Sequence, residues 1–194
     1  MKSMCFSGHR FSKIKSLVSK NHVDKKFEKD FFEIIKLIIY IRLTNYIDSG
    51  FKRFYIGMAD GIDLWVGEEL VELKTTQYPE IQIIPVKPFA QHGSDFSIEN
   101  KKIYDDILNV ADEIVCLQSN WTKSAYFQRN RYMVDNSTNL LAFIYDYESG
   151  TGYTIKYAQS LGKSIDIVDL SNLINIFNQT ITQHKTFYDM THYF

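Results

Sequence analysis

Apolar positions along the chain follow two alternating rhythms. Short, mostly apolar runs near Lys2–Ser7, Arg53–Ile56, Ile81–Val86, Glu113–Leu117, Leu140–Tyr145 and Ser164–Val168 have the composition of strands covered on both faces. Between them, helix-period segments occupy about Asp24–Ser49, Ile62–Thr75, Ile98–Val110, Gln128–Ser137 and Thr154–Leu161. Gly50 and Gly162 close the first and last of these, as glycines just past a helix end do. Strand–helix alternation over the whole length predicts an α/β fold, Rossmann-like and doubly wound, with a mainly parallel sheet and helices on both faces.

After Asp169 the register changes. Residues 171–177 read as one more capped helix, and the rest as an irregular tail rich in His, Thr, Tyr and Phe. The chain therefore divides into a domain over residues 1–170 and a C-terminal helix and aromatic tail over 171–194. Tyr188, Tyr193 and Phe194 are expected to pack on the domain or on a second subunit, which makes a homodimer a candidate assembly.

Length and composition narrow the function classes. The chain has 194 residues, of which 45% are hydrophobic and 23% charged, so it can bury a core and is no disordered segment. Lys and Arg total 22 against 23 Asp and Glu, a net charge of -1, which supplies no field to hold a polyanion. Nucleic acid is thus not an expected partner. Cys5 and Cys116 both lie in apolar runs and read as buried free thiols of a reducing compartment. The beginning of the sequence lacks the pattern of a secretory signal, and the longest apolar stretch, residues 31–46, is interrupted by Glu33, Lys36 and Arg42. A cytoplasmic protein without a membrane partner is expected. The five histidines and two cysteines show no metal-ligand spacing, so no metal site is expected.

In an open parallel sheet, ligands bind outside the carboxyl ends of the strands. Four such ends carry suitable residues. Ser7, Gly8, His9 and Arg10 follow the first strand; Gly57, Met58, Ala59, Asp60, Gly61 and Asp63 follow the second. A long loop after the fourth leads to Arg129 and Asn130, and Gly150, Thr151, Gly152 and Thr154 follow the fifth. Glycines between a strand and a helix let backbone approach an anion at the helix N-terminus, although the same residues serve a plain tight turn. Bulky residues at Gly57 or Gly61 are expected to block a ligand and spare the fold. Arg129 and Arg131 read as residues at a helix start, with Asp135 as the nearest internal partner. His9 has the alternative of a hydrogen-bonded loop anchor, and Asp63 that of a helix cap.

Taken together, Cys5–Arg10, Gly57–Trp65, Pro88-Phe89, Ala111–Val115, Arg129–Asp135 and Gly150-Thr151 with Tyr157-Ala158 resemble the YpsA-like branch of the SLOG superfamily. These are Rossmann-like domains related to the LOG phosphoribohydrolases and to the DprA DNA-processing domain. The likeness runs from about Met4 to Asp169. It implies a pocket for a phosphate-bearing, nucleotide-derived small molecule, with NAD- or ADP-ribose-related compounds and cyclic nucleotide signals as the candidates, and with that ligand in place of any separate cofactor. This chain has Ser149-Gly150-Thr151 where the family usually has paired glycines before the threonine, and Phe11 where a proline is common.

Three functions follow as expectations. The first is a binding protein that senses, carries or sequesters such a ligand. The alternative is a LOG-like hydrolase of a nucleotide N-glycosidic bond, for which Asp60, Asp63 or Asp135 would supply the carboxylate. The LOG-type loop places a glutamate three residues after its threonine, where this chain has Thr154, and that favours binding. Third is DprA-like handling of single-stranded DNA, which the 14 Phe and 13 Tyr would suit and the charge balance does not.

Overall fold

The computed structural model describes residues 2–191, with side chains described as far as residue 183. Six strands, β1 (Lys2–Gly8), β2 (Phe51–Ile56), β3 (Gln82–Lys87), β4 (Val115–Cys116), β5 (Asn139–Ile144) and β6 (Ser164–Asp169), form one sheet in the order β4-β3-β2-β1-β5-β6. Every pairing is parallel. Seven helices connect or follow them: α1 (Phe11–Lys20), α2 (Glu28–Asp48), α3 (Ile62–Thr76), α4 (Ile98–Val110), α5 (Ala125–Asp135), α6 (Gly150–Ser160) and α7 (Leu170–Thr191). The fold is the expected Rossmann-like α/β sheet.

Both faces of the strands are apolar, and alternate residues separate into two cores. Met4 and Phe6 of β1, Phe54 and Ile56 of β2, and Leu141 and Phe143 of β5 face one cluster. That cluster is completed by Ile14 and Leu17 of α1, by α2, α3 and α4, and by Leu170, Ile174 and Phe177 of α7. The intervening Cys5, Tyr55, Leu140 and Ala142 meet Met133 and Val134 of α5 and Ile155 and Ala158 of α6 on the other face. In α2 the buried positions Phe31, Ile35, Ile39, Leu43 and Ile47 recur every fourth residue, as one face of a helix does.

Several sequence-based expectations need correction. Residues 11–20, to which the sequence reading assigned no element, form α1, whose Ile14, Leu17 and Val18 make an i, i+3, i+4 apolar face between Lys and Ser. The helix read from Gln128 begins at Ala125, so Arg129 lies in its second turn. The glycine loop expected at residues 150–154 is the first turn of α6, capped by Ser149, whose side chain accepts from Gly152 N. The tail read as irregular continues α7 to Thr191, and its cap is Asp169, whose Oδ1 accepts from Ser171 N and Asn172 N. Cys5 is buried as expected, with burial pushing its thiol up to about 12, whereas Cys116 is exposed. The side chain of Tyr188, and Tyr193 and Phe194 entirely, lie outside the described residues. Among the described residues no helix is long and apolar enough to cross a membrane.

Candidate functional site

From β1 the strands step outward through β2 and β3 to β4, and the chain then returns to place β5 on the other side of β1. The reversal between β1 and β5 is a topological switch point, where neighbouring loops diverge and leave a crevice. A cavity of about 470 Å³ occupies it, lined by Ser7, Gly8, His9 and Arg10 after β1, Ser12 and Lys13 of α1, and Ala59 and Asp63 after β2. Lys123, Tyr126, Phe127, Arg129 and Asn130 close one side, and Ser149, Gly150 and Thr151 at the α6 N-terminus close another. All four sequence-designated segments therefore converge on one edge of the sheet.

The centre of the site is Arg129, which is 5% exposed. Its Nη1 donates to Asp63 Oδ2 at 3.1 Å and to the Gly57 carbonyl, while Nε donates to Asn130 Oδ1 at 2.7 Å. Asp63 Oδ2 also accepts from Ala59 N at 3.2 Å. Burial pushes the Asp63 carboxyl up, and the Arg129 guanidinium and the Ala59 N–H pull against that rise. The partner expected for Arg129, Asp135, lies at the far end of α5 and accepts from Tyr157 OH at 2.8 Å. Arg131 donates to Tyr153 OH and stacks over Tyr153 and Tyr157. Asp135 is therefore remote from the cleft, because α5 carries it to the edge where β5 begins.

The segment after β2 is built differently from the expectation. Gly57 has no room for a side chain, since a Cβ there would land on the Arg129 guanidinium and near Asp63. Gly61 adopts φ +84°, and a Cβ would come within 2.5 Å of Phe11 N and 2.7 Å of His9 O. Met58 is fully buried, also at positive φ. Of this loop only Ala59 and Asp63 line the cleft. Two amides of this segment are used internally, Ala59 N by Asp63 and Ile62 N by His9 O. The glycines thus serve close packing of loop on loop, and substitution there would disturb the fold, contrary to the expectation that it would be spared.

His9 resolves in favour of the loop anchor. Its Nε2 accepts from Tyr145 N at 3.1 Å and Asp146 N at 3.2 Å, tying the end of β1 to the end of β5. Burial, assisted by Lys13, pushes the imidazole down to about 4, so it is neutral at pH 7 and the accepting nitrogen is preserved. Asn130 is a second tie, donating through Nδ2 to Thr154 Oγ1 at 2.8 Å, while Thr154 Oγ1 donates to Gly150 O. Thr154 and Gly152 therefore secure α6 from behind. Gly152 packs against the Tyr147 backbone, leaving Gly150 and Thr151 as the α6 residues that line the cleft.

Arg10 is the exposed counterpart of Arg129, with 52% of its side chain accessible. It stacks over the Tyr126 ring at 5.0 Å and lies 3.8 Å from Asp60. Tyr126 sits 5.9 Å from the Arg129 guanidinium as well. Tyr126, Phe127, Lys13 and Lys123 were missed from the sequence. Tyr126 and Arg129 are three apart in one helix and so share a face, a signal that an earlier helix start would have revealed. Four cationic side chains, Arg10, Lys13, Lys123 and Arg129, line the cleft; Arg129 is bound to Asp63, Lys13 donates to Asp146 Oδ2 at 2.5 Å, and Arg10 lies 3.8 Å from Asp60. Among the described residues no cluster of His, Cys, Asp or Glu could hold a metal ion.

The backbone resembles two solved structures of DNA processing protein A. The Helicobacter pylori protein, whose structure was described for its mode of binding single-stranded DNA, superposes with a TM-score of 0.51 at 14% identity over 94% of this chain and 81% of the other. The Streptococcus pneumoniae protein gives a TM-score of 0.52 at 14% identity over 94% and 56%. At that identity the likeness is one of fold. In sequence the chain is 27% identical over 149 residues to a UPF0398 protein of Enterococcus faecalis, covering 73% of this chain and 82% of the relative. A Macrococcus caseolyticus UPF0398 protein is 28% identical over 152 residues, covering 75% and 82%. The family model described as YspA SLOG, YpsA, matches residues 23–173, which runs from before α2 through β6 into the first residues of α7 and begins after the β1 loop. The chain belongs to the YpsA family of SLOG proteins.

Proposed function

We propose that this protein binds a phosphate-bearing, nucleotide-derived small molecule in the β1/β5 cleft, as a sensor, carrier or sequestering module. The observation that carries the reading is the set of cations lining the cleft: Arg129 is bound to Asp63 and Lys13 to Asp146, Arg10 has only a loose contact with Asp60 at 3.8 Å, and Lys123 also lines the wall. Arg129 has Nε and Nη1 committed to Asn130, Gly57 and Asp63, and no acceptor among the described residues engages Nη2. A guanidinium held rigidly on one edge offers the other to a phosphate at little ordering cost. The α6 N-terminus adds the positive end of its dipole at Gly150 and Thr151. A charge-assisted hydrogen bond here contributes about 1.5–3 kcal/mol.

Calorimetric titration with AMP, ADP-ribose, NAD and a cyclic dinucleotide, beside adenosine as the uncharged control, tests this. Binding by at least one phosphate-bearing compound, lost at high salt and absent for adenosine, is the expected result. If no compound binds, the cleft is not an anion site. Chromatography of the same mixtures should return each compound intact, because Asp63 is tied to Arg129 and Asp60 lies beside Arg10. Free base released at an enzyme-like rate would move the protein to the hydrolases.

A further inference from the structure

A second recess of about 380 Å³ adjoins the anion cleft and shares Arg10, Ala59 and Tyr126 with it. Its other walls differ in kind, with Phe89, His92, Phe96 and Trp121 supplying rings and Asp60, Gln91 and Asp95 supplying acceptors. Phe89 and His92 each meet Tyr126 edge-on, at 6.1 and 5.8 Å between centroids. His92 is 6% exposed, and its Nδ1 has no hydrogen-bond partner. Leaving a buried polar atom unpaired is costly, and because His92 belongs to the wall of the recess, a ligand atom that reached its Nδ1 would be stabilised. Burial, with Arg129 and Arg10 nearby, pushes the imidazole down to about 3, so the ring is neutral at pH 7. Trp121, on the loop before α5, is 58% exposed at the mouth, an indole face with much of its area open to water.

Two carboxylates disfavour a phosphate here, and the aromatic walls favour a flat, uncharged ring. We propose that this recess is the base subsite of the same ligand: it takes an amino-substituted heteroaromatic ring, stacked against Trp121 and Tyr126, with the amino group toward Asp60, Gln91 or Asp95 and a ring heteroatom toward His92. The proposal rests on the anion reading of the adjoining cleft. Arg10, stacked on Tyr126, stands at the boundary and spans both parts.

The test compares affinities for ribose 5-phosphate, which can fill only the anion cleft, with those for AMP, GMP, CMP, IMP and UMP. At least one amino-bearing nucleotide should bind ten- to a hundredfold tighter than ribose 5-phosphate, the gain that base–aromatic stacking gives. IMP and UMP, which lack the amino group, should bind more weakly than that nucleotide. Trp121→Ala, at an exposed position, should remove most of the gain and leave ribose 5-phosphate binding unchanged. His92→Phe, which keeps the ring packing, should also reduce the gain. Equal affinity for ribose 5-phosphate and all five nucleotides overturns the base subsite while the anion site stands. A gain insensitive to Trp121→Ala and His92→Phe places the base elsewhere and overturns it too. If none of the six compounds binds, the base subsite is overturned, and the anion reading then stands or falls on ADP-ribose, NAD and the cyclic dinucleotide.

Discussion

Arg129 has two roles that a single substitution would confound, and the Asp63–Arg129 pair therefore offers the sharpest test of the site. Both groups are nearly fully buried, 3.1 Å apart, and each satisfies the other's charge. Replacing Arg129 by Met keeps most of the volume but leaves the Asp63 carboxylate with only the Ala59 N–H, and deprives Gly57 O and Asn130 Oδ1 of their donor. Breaking a buried pair from one side costs about 3–5 kcal/mol. At roughly 2–4 °C per kcal/mol for a chain of this size, Arg129→Met should lower Tm by roughly 6–20 °C. Asp63→Leu should cost a similar amount, since it strands the guanidinium. The double variant should be more stable than the sum of the singles predicts, with a coupling of about 2 kcal/mol in a urea-denaturation cycle. Singles that each cost below about 1 kcal/mol and add without coupling would refute the pair as a structural unit. Loss of ligand binding in Arg129 variants can be assigned to contact with the ligand only after this cycle has fixed the stability part.

Arg10 is the cleaner probe of binding. Arg10→Ala should weaken a phosphate-bearing ligand about ten- to a hundredfold while moving Tm little, because its side chain is half-exposed and its contact with Asp60 is loose; titration and melting of one sample check both. Stability should decline on acidification. His9 is displaced from 6.5 to about 4 in the folded chain, so the unfolded state takes up the proton first, and about 3 kcal/mol present above pH 6.5 is lost as pH falls toward 4. His92, pushed to about 3, acts in the same direction over a window reaching lower; urea midpoints measured across pH 3–7 should be flatter in His92→Phe. Gly57→Val should destabilise the protein strongly, with or without ligand, because its side chain would meet the Arg129 guanidinium; an unchanged melting curve would contradict the packing described.

The amino-acid sequence on its own determined the fold class and the edge on which the site lies. Strands buried on both faces have to be apolar throughout, so β1, β2, β3 and β5 stand out as short continuous runs, and parallel strands require the helices between them. Once alternation is established, every loop after a strand falls on the same edge, which is why Ser7–Arg10, Ala59, Asp63, Arg129 and Gly150-Thr151 were found before their geometry was known. Short α1 escaped because its Ile14, Leu17 and Val18 are spaced among Lys and Ser, a face of only three residues.

What the sequence did not carry was the partner of each side chain. Arg129 and Asp63 are 66 positions apart, and only the placing of α5 beside the β2–α3 loop brings them together; Asp135, six residues from Arg129 along α5, is carried out of reach by the helix itself. The same holds for His9, whose acceptor edge meets amides 136 and 137 residues away, and for Gly57, whose missing side chain is filled by a guanidinium from another helix. Periodicity is a local property, set by how a segment divides its apolar surface between core and water. Side-chain pairing across loops is decided by strand order, which for β1, between β2 and β5, exists only in the assembled sheet.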